Sequence, residues 1–232
     1  MRALIAGLLL ALPFSAASAS SFDVAPTTVD IAGGRSGVLY LTNRGEAPIT
    51  VQIEPFDWSQ PAGDDALAPS SALEVSPPIV TLAPNRPQTV RLLAPLRVSA
   101  ECAYRLVVSE LPDAAPRTGG TLRMLLQFRV PVFVNVSHRP QAALAWSARR
   151  DHGSLAIAVQ NTGAAHAKLS ALAVDAKAIR IAFGAGIDYV LAGATRRWHI
   201  ENPRLAGASV LSISGHDETI GSDIASTVPV QP

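Results

Sequence analysis

Apolar and polar residues alternate along most of this chain, and almost nothing beyond residue 20 shows the spacing of an amphipathic helix. Ile49 to Glu54 is apolar at every odd position, and Gln88 to Leu93 and Tyr104 to Glu110 alternate in a similar way. A period of two sends successive side chains to opposite faces of a β-strand, one toward a core and one toward water. Val38 to Asn43 reads as another strand, ending in the Asn-Arg-Gly-Glu turn at 43–46. Short strands are predicted at Leu73 to Val75 and at Ile79 to Leu82, around the break at Pro77-Pro78. The stretch from Ser59 to Ser71 is polar and rich in proline, glycine and serine, which predicts a surface loop.

The longest alternation is LRMLLQFRVPVFV, residues 122–134, in which every even position is apolar: Leu122, Met124, Leu126, Phe128, Val130, Val132 and Val134. Pro131 lies inside it and has no N–H to donate, so this strand is predicted to be an edge, or to bulge at the proline. A long apolar face on an edge strand invites pairing unless something covers it. With it, about seven short strands have passed, the pattern of an immunoglobulin-like sandwich.

The pattern pauses around His138-Arg139-Pro140 and a second β-rich block follows. Its predicted strands are Leu144 to Trp146, Leu155 to Val159, Ala167 to Val174 and Tyr189 to Leu191. Alanine content would allow a helix across Leu169 to Ala178, but β-branched and turn residues follow closely and favour a strand. Gln160-Asn161-Thr162-Gly163 resembles the earlier Thr42-Asn43-Arg44-Gly45, each with an asparagine two residues before a glycine. That points to an all-β chain of two related sandwiches, at residues 20–138 and 139–232.

Composition agrees. The chain has 232 residues, 48% hydrophobic and 16% charged, enough for true cores in one large or two small domains. Its 18 prolines and 16 glycines are scattered, as many short strands joined by turns require. The formal charge is only +1, which gives nucleic acid no basic surface to bind. Lys168 and Lys177 are the only lysines, and the other cations are arginines, which favour fixed bidentate contacts.

Met1-Arg2, the apolar run Ala3 to Phe14, and Ala17-Ser18-Ala19 have the form of a secretory signal, so residues 1–19 are expected to be a cleaved signal peptide. That apolar run is too short to span a bilayer, and no other approaches the length, so the mature chain is not expected to be membrane-embedded. Cys102 is the only cysteine; without an intramolecular disulfide the fold must rest on its cores, and this thiol reads as a packed side chain.

Candidate chemistry points to binding. His138, His152, His166, His199 and His216 are isolated from one another and lack metal-ligand spacing. No G-x-S-x-G elbow, phosphate-binding glycine loop or S-x-x-K motif occurs, and Asp64-Asp65 reads as a solvated turn. No residues are available for catalytic roles, and no cofactor or metal is expected. Arg91, between Val90 and Leu92, is predicted to form a structural ion pair with Glu110. Arg105 and Arg129 lie on strands joined by a short connection. Two arginines brought together repel unless an anion lies between them, so they are a candidate carboxylate site, against the alternative of two solvated edge arginines.

With these residues in view, the chain resembles the periplasmic pilus-assembly chaperones of chaperone–usher pathways. The resemblance rests on pieces in order: Phe22 to Val29, Leu41-Thr42-Asn43, Ser76-Pro77-Pro78 with Leu82-Ala83-Pro84, Val90-Arg91-Leu92, Tyr104-Arg105-Leu106 with Glu110-Leu111-Pro112, and Phe128 to Val134. It implies two Ig-like domains in a boomerang. It also implies a strand at 121–134 lent to a pilus subunit whose own last strand is missing, a form of strand addition known as donor-strand complementation. Leu122, Met124, Leu126 and Phe128 would then be the subunit-binding face, and Val130 to Val134 core and domain junction. The implied partners are pilus subunits and an outer-membrane usher, the compartment is the periplasm, and neither ATP nor metal is required. Self-association of the free form is left open.

One departure stands out. Many family members anchor the subunit's C-terminal carboxylate with an arginine on the first strand and a lysine near the end of the donor strand; those positions hold Thr28 and Pro131 here. The Arg-Val-Pro-Val-Phe-Val ending is similar to the archaic, Csu-like branch, and Arg105 and Arg129 become the anchor candidates. The alternative function on the same fold is a secreted Ig-like adhesin or pilus component.

Overall fold

A computed structural model describes residues 21–95, 100–112, 124–135, 141–151, 154–176, 179–205 and 207–232. The predicted signal peptide, Leu122, His138, His152 and the expected domain boundary at 138 lie outside the described residues.

The first sandwich contains β1 (Phe22–Ala25), β2 (Val29–Ala32), β3 (Ser36–Asn43), β4 (Ile49–Ser59), β5 (Ala66–Pro69), β6 (Glu74–Ser76), β7 (Ile79–Leu82), β8 (Pro87–Leu93), β9 (Cys102–Glu110) and β10 (Gln127–Asn135). One sheet has the order β1-β3-β8-β6; the other has the order β2-β10-β9-β4-β5, with β7 also on β4. Alternation decides what lies between them. Leu39 and Leu41 of β3 and Val90 and Leu92 of β8 meet Val51 and Ile53 of β4, Leu106 and Val108 of β9, and Val130, Val132 and Val134 of β10. Cys102 is half-buried against this core, as expected, and burial pushes its thiol pKa up.

The second sandwich contains β11 (Leu144–Asp151), β12 (Ser154–Asn161), β13 (Ala167–Ala176), β14 (Ile179–Ala182), β15 (Ile187–Val190), β16 (Thr195–Ile200), β17 (Val210–Asp217) and β18 (Ser222–Gln231). They form one sheet in the order β14-β13-β17-β18-β11-β12-β16, with β15 also on β13. β18 pairs antiparallel with β17 and, at Ala148↔Val230, parallel with β11, so it carries the sheet around one side of the core. Ile157, Val174, Leu211 and Ile213 fill that core. The 169–176 stretch is strand, not helix.

The two asparagine turns are the same device. Asn43 and Asn161 are both fully buried. Asn43 donates from its side-chain amide to the carbonyls of Ala47 and Leu82, and its Oδ1 accepts from Gly45 N–H. Asn161 donates to Ala165 and Val190 and accepts from Gly163 N–H, with a further bond from Ala143 N–H. Even the backbone repeats: Asn43 C=O accepts from Asn85 N–H and Asn161 C=O from Gly193 N–H. Both of those donors have a left-handed backbone. Each asparagine thus closes a turn and ties it to the next strand pair, satisfying groups that burial would otherwise leave unpaired.

The stretch predicted to be a surface loop is instead where the sandwiches dock. Gln60 is buried; its amide donates to Tyr189 C=O (2.8 Å) and its Oε1 accepts from Leu191 N–H (3.0 Å), so one side chain pairs with the second sandwich much as a strand would. Arg196 and Arg197 donate to Gly63 and Ala62 carbonyls at the tip of the same hairpin. Beneath it Trp58, Phe133 and Leu191 form a small apolar cluster with Tyr189 against it. The buried pair Glu101 and His166 adds a polar tie: Glu101 accepts from the His166 backbone N–H (2.6 Å) and lies 3.1 Å from Nδ1, while the imidazole stacks on Phe133 at 3.4 Å.

Candidate functional site

β10 is paired along both sides for only part of its length. On one side it runs antiparallel to β9 from Gln127↔Ser109 to Val134↔Cys102, with unbroken register and no bulge at Pro131. On the other side, the parallel strand β2 covers only Val132 to Asn135. Among the described residues no second strand pairs with the stretch from Gln127 to Pro131, which is therefore an open edge, as the proline predicted.

The phase of the ladder shows what that edge offers. Glu110 N–H donates to Leu126 C=O, so the even residues of β10 spend their backbone groups on β9. The odd residues direct theirs the other way, as Asn135 C=O confirms by accepting from Gly33 N–H at 2.9 Å. Gln127 and Arg129 thus present backbone donors and acceptors outward, and Pro131, with no N–H, stands where that row meets β2.

Side chains change character along the strand. Val130, Val132 and Val134 are buried in the first core, and Phe133 faces the domain junction. Leu126 and Phe128 are half-buried against the core, with the Phe128 ring edge-on to Phe22 at 4.9 Å. Met124 and Leu125, just ahead of β10, are 65% and 45% exposed. The upper end is therefore apolar and uncovered, and the lower end is core.

Beside this edge stand the two predicted arginines. Arg129 is opposite Val107 and Pro131 opposite Arg105, so the guanidiniums share one sheet face, a diagonal step apart. Arg129 is exposed and Arg105 half-buried. The Arg105 guanidinium lies 3.6 Å over the Trp58 ring and 5.2 Å from the Tyr189 ring. Burial lowers its pKa, Asp65 and Tyr189 oppose that shift, and the nearby charge of Arg129 adds to it. Among the described residues no carboxylate lies within ion-pair distance of Arg105.

Two other expectations resolve differently. Arg91 and Glu110 are not brought together. Val90 and Leu92 point into the core, so alternation sends Arg91 outward, exposed, on one sheet. Glu110 is buried on the other sheet, where its carboxylate accepts from Leu126 N–H at 3.3 Å and helps hold the start of β10. Thr28, which precedes β2, and Pro131 supply no cation at the edge. Trp58, Gln60 and Tyr189 were missed by sequence reasoning. A buried Trp58 near the end of a strand was the one signal within reach, but nothing in one dimension ties residue 58 to residue 189.

Among the described residues no group of three or more histidines, cysteines or carboxylates could hold a metal ion, and no helix is long and apolar enough to cross a membrane. No curated protein sequence matches the chain. Solved structures do. The chain is similar to the CsuC chaperone in its pre-assembly complex with the tip subunit CsuE, from archaic chaperone–usher Csu pili of Acinetobacter baumannii, with TM-score 0.70 and 23% identity over 91% of this chain and 100% of that one. It is similar to the structure of the Salmonella enterica SafA pilin with the SafB chaperone, with TM-score 0.61 and 16% identity over 90% and 94%. The YadV chaperone gives TM-score 0.63 and 17% identity over 90% and 98%. At these identities the likeness establishes the fold, two Ig-like sandwiches. The family profile for pili and flagellar-assembly chaperones, PapD N-terminal domain, matches residues 21–142, more than half of the sequence. The chain, with its open apolar edge at β10, belongs to the pilus-assembly chaperone family.

Proposed function

We propose that this chaperone captures pilus subunits by lending them the open edge of β10, and that it belongs to the archaic branch. The observation that carries the reading is the stretch from Gln127 to Pro131, which no second strand pairs with among the described residues, together with the apolar side chains of Leu126 and Phe128 and the exposed Met124 and Leu125 just ahead of it. Leu122, Met124, Leu126 and Phe128 form the subunit-binding face. Burying such side chains contributes roughly 1.5–3 kcal/mol each when they start fully exposed, and less for the half-buried Leu126 and Phe128, before the cost of association is subtracted.

Arg105 and Arg129 anchor the subunit's C-terminal carboxylate in place of the arginine–lysine pair that Thr28 and Pro131 replace. The archaic assignment is supported by that replacement and by the fold shared with the CsuC chaperone. Residues 1–19 direct export to the periplasm, residues 20–138 form the subunit-binding domain and residues 139–232 the second domain. An outer-membrane usher receives the loaded complex. No catalytic step is involved. An adhesin role is not favoured, because the uncovered edge then has no purpose.

Co-expression with a pilus subunit lacking its last strand tests the reading. A stable one-to-one complex is expected, and failure to form one overturns it. Arg105→Ala with Arg129→Ala is expected to weaken capture; unchanged capture removes the anchor.

A further inference from the structure

Resting on the reading of Arg105 as the carboxylate anchor, we propose that the second domain supplies a positioning residue to that site: Tyr189, which with Trp58 clamps the guanidinium so that its N–H edge is presented to the subunit's chain end. A guanidinium is a flat cation with its donors around the rim and its charge open to aromatic faces. Trp58 lies 3.6 Å from the guanidinium carbon and Tyr189 5.2 Å from it, and the two rings meet edge-to-face at 5.3 Å, so together they form an aromatic corner that holds the cation on two adjacent sides. No carboxylate among the described residues takes up the rim. The arrangement is that of a receptor with its cation fixed and its donors left for an incoming planar anion.

Tyr189 is itself held in place from the first domain. Its carbonyl accepts from Gln60, Leu191 N–H bonds the same side chain, and its ring packs against Phe133 at 5.9 Å. The anchor is therefore assembled across the domain boundary and exists only while the sandwiches are docked. Arg129, on the same face but exposed, has no such clamp among the described residues. It contributes charge without geometry. A free arginine side chain loses rotamer entropy when a ligand fixes it; the clamp removes most of that cost before the ligand arrives.

The test uses the full-length mature protein and two synthetic extended decapeptides of alternating apolar residues, one with a free C-terminal carboxylate and one amidated. Wild type is expected to bind the acid about tenfold more tightly than the amide. Arg105→Ala should abolish the preference; if the preference survives, the anchor reading itself is wrong. Tyr189→Phe keeps the aromatic face and should keep the preference, whereas Tyr189→Leu keeps apolar bulk and should cut it below about threefold. A Tyr189→Leu protein that still discriminates tenfold, while Arg105→Ala does not, overturns the clamp and leaves the anchor standing. The Arg105 Nε–H resonance gives a readout that needs no variant. It should be displaced by ring currents relative to the exposed Arg129, and coincident resonances overturn the proposal.

Discussion

Met124→Asp separates binding from folding. Met124 lies ahead of β10 and is 65% exposed, so the folded protein gains little from its side chain. Fully burying a methionine contributes about 1.5–3 kcal/mol, and with two-thirds of it still in water, subunit capture can gain about 1–2 kcal/mol there. An aspartate forfeits that gain and must also lose water from a carboxylate as the subunit groove closes, a cost of at least a further 2 kcal/mol or so. Together these exceed about 3 kcal/mol, more than a hundredfold in affinity. Stability, by contrast, should change by no more than about 0.5 kcal/mol, as for most exposed positions. Met124→Leu, which keeps size and apolarity, should capture subunit nearly as wild type does. The assay is competition between tagged wild-type and untagged variant chaperone for a limiting amount of a subunit lacking its last strand, with a urea unfolding curve for each. Capture by Met124→Asp within threefold of wild type would refute the donor-face assignment. So would a loss of capture that merely follows a loss of stability.

Other outcomes follow from the same geometry. Asn161→Ala removes four hydrogen bonds from a fully buried site, at about 1 kcal/mol each net, and should lower stability by about 3–4 kcal/mol in urea unfolding. Asn43→Ala, with three, should lose about 3 kcal/mol, and a loss under 1 kcal/mol in either would show that the shared turn is not structural. Burial, with Cys102 and Asp57 nearby, pushes the Tyr104 hydroxyl pKa up to about 12 from 10.0. Absorbance titration should show this tyrosine still protonated where an exposed one has ionised. Because the folded pKa is raised, its contribution to stability is intact below pH 10 and is lost as pH climbs toward 12. A hydrogen bond to Asp223 raises the pKa of His216 above 6.5, so Asp223→Asn should lower the midpoint of its imidazole resonances, and an unmoved midpoint would contradict the pairing.

The first sandwich was the more legible half because its strands alternate cleanly and its turns carry their own chemistry. Leu39 and Leu41, Val51 and Ile53, and Val90 and Leu92 announce an inner face, and the structure buries all six. In the second half, Thr195–Ile200, Val210–Asp217 and Ser222–Gln231 went unread. Small and polar residues dilute their alternation, and burial there depends on neighbours distant in sequence. The asparagine turns were legible as a repeat, since an Asn-x-Gly pattern has a local hydrogen-bonding reason. Arg91 was misjudged by attending to its apolar neighbours rather than to the period of two, which puts those neighbours on the opposite face. The docking hairpin was misread because polar residues and glycine predict solvent, whereas Gln60 uses its amide to continue a neighbouring strand's hydrogen bonding. No local rule reveals such a use.

Pro131 makes the open edge finite. A strand added along Gln127 and Arg129 finds backbone donors until it reaches the proline, and beyond Val132 the place is already taken by β2, lying end to end with it. The edge therefore works as a ruler with an end-stop: a guest strand can advance to one residue and no farther. Because Pro131 is in register with Arg105, the guest that stops there does so beside the clamped cation. Length and charge are measured at the same point. A chain that slips by one residue misplaces every side chain on the apolar face, and a chain that carries on past its natural end collides with β2.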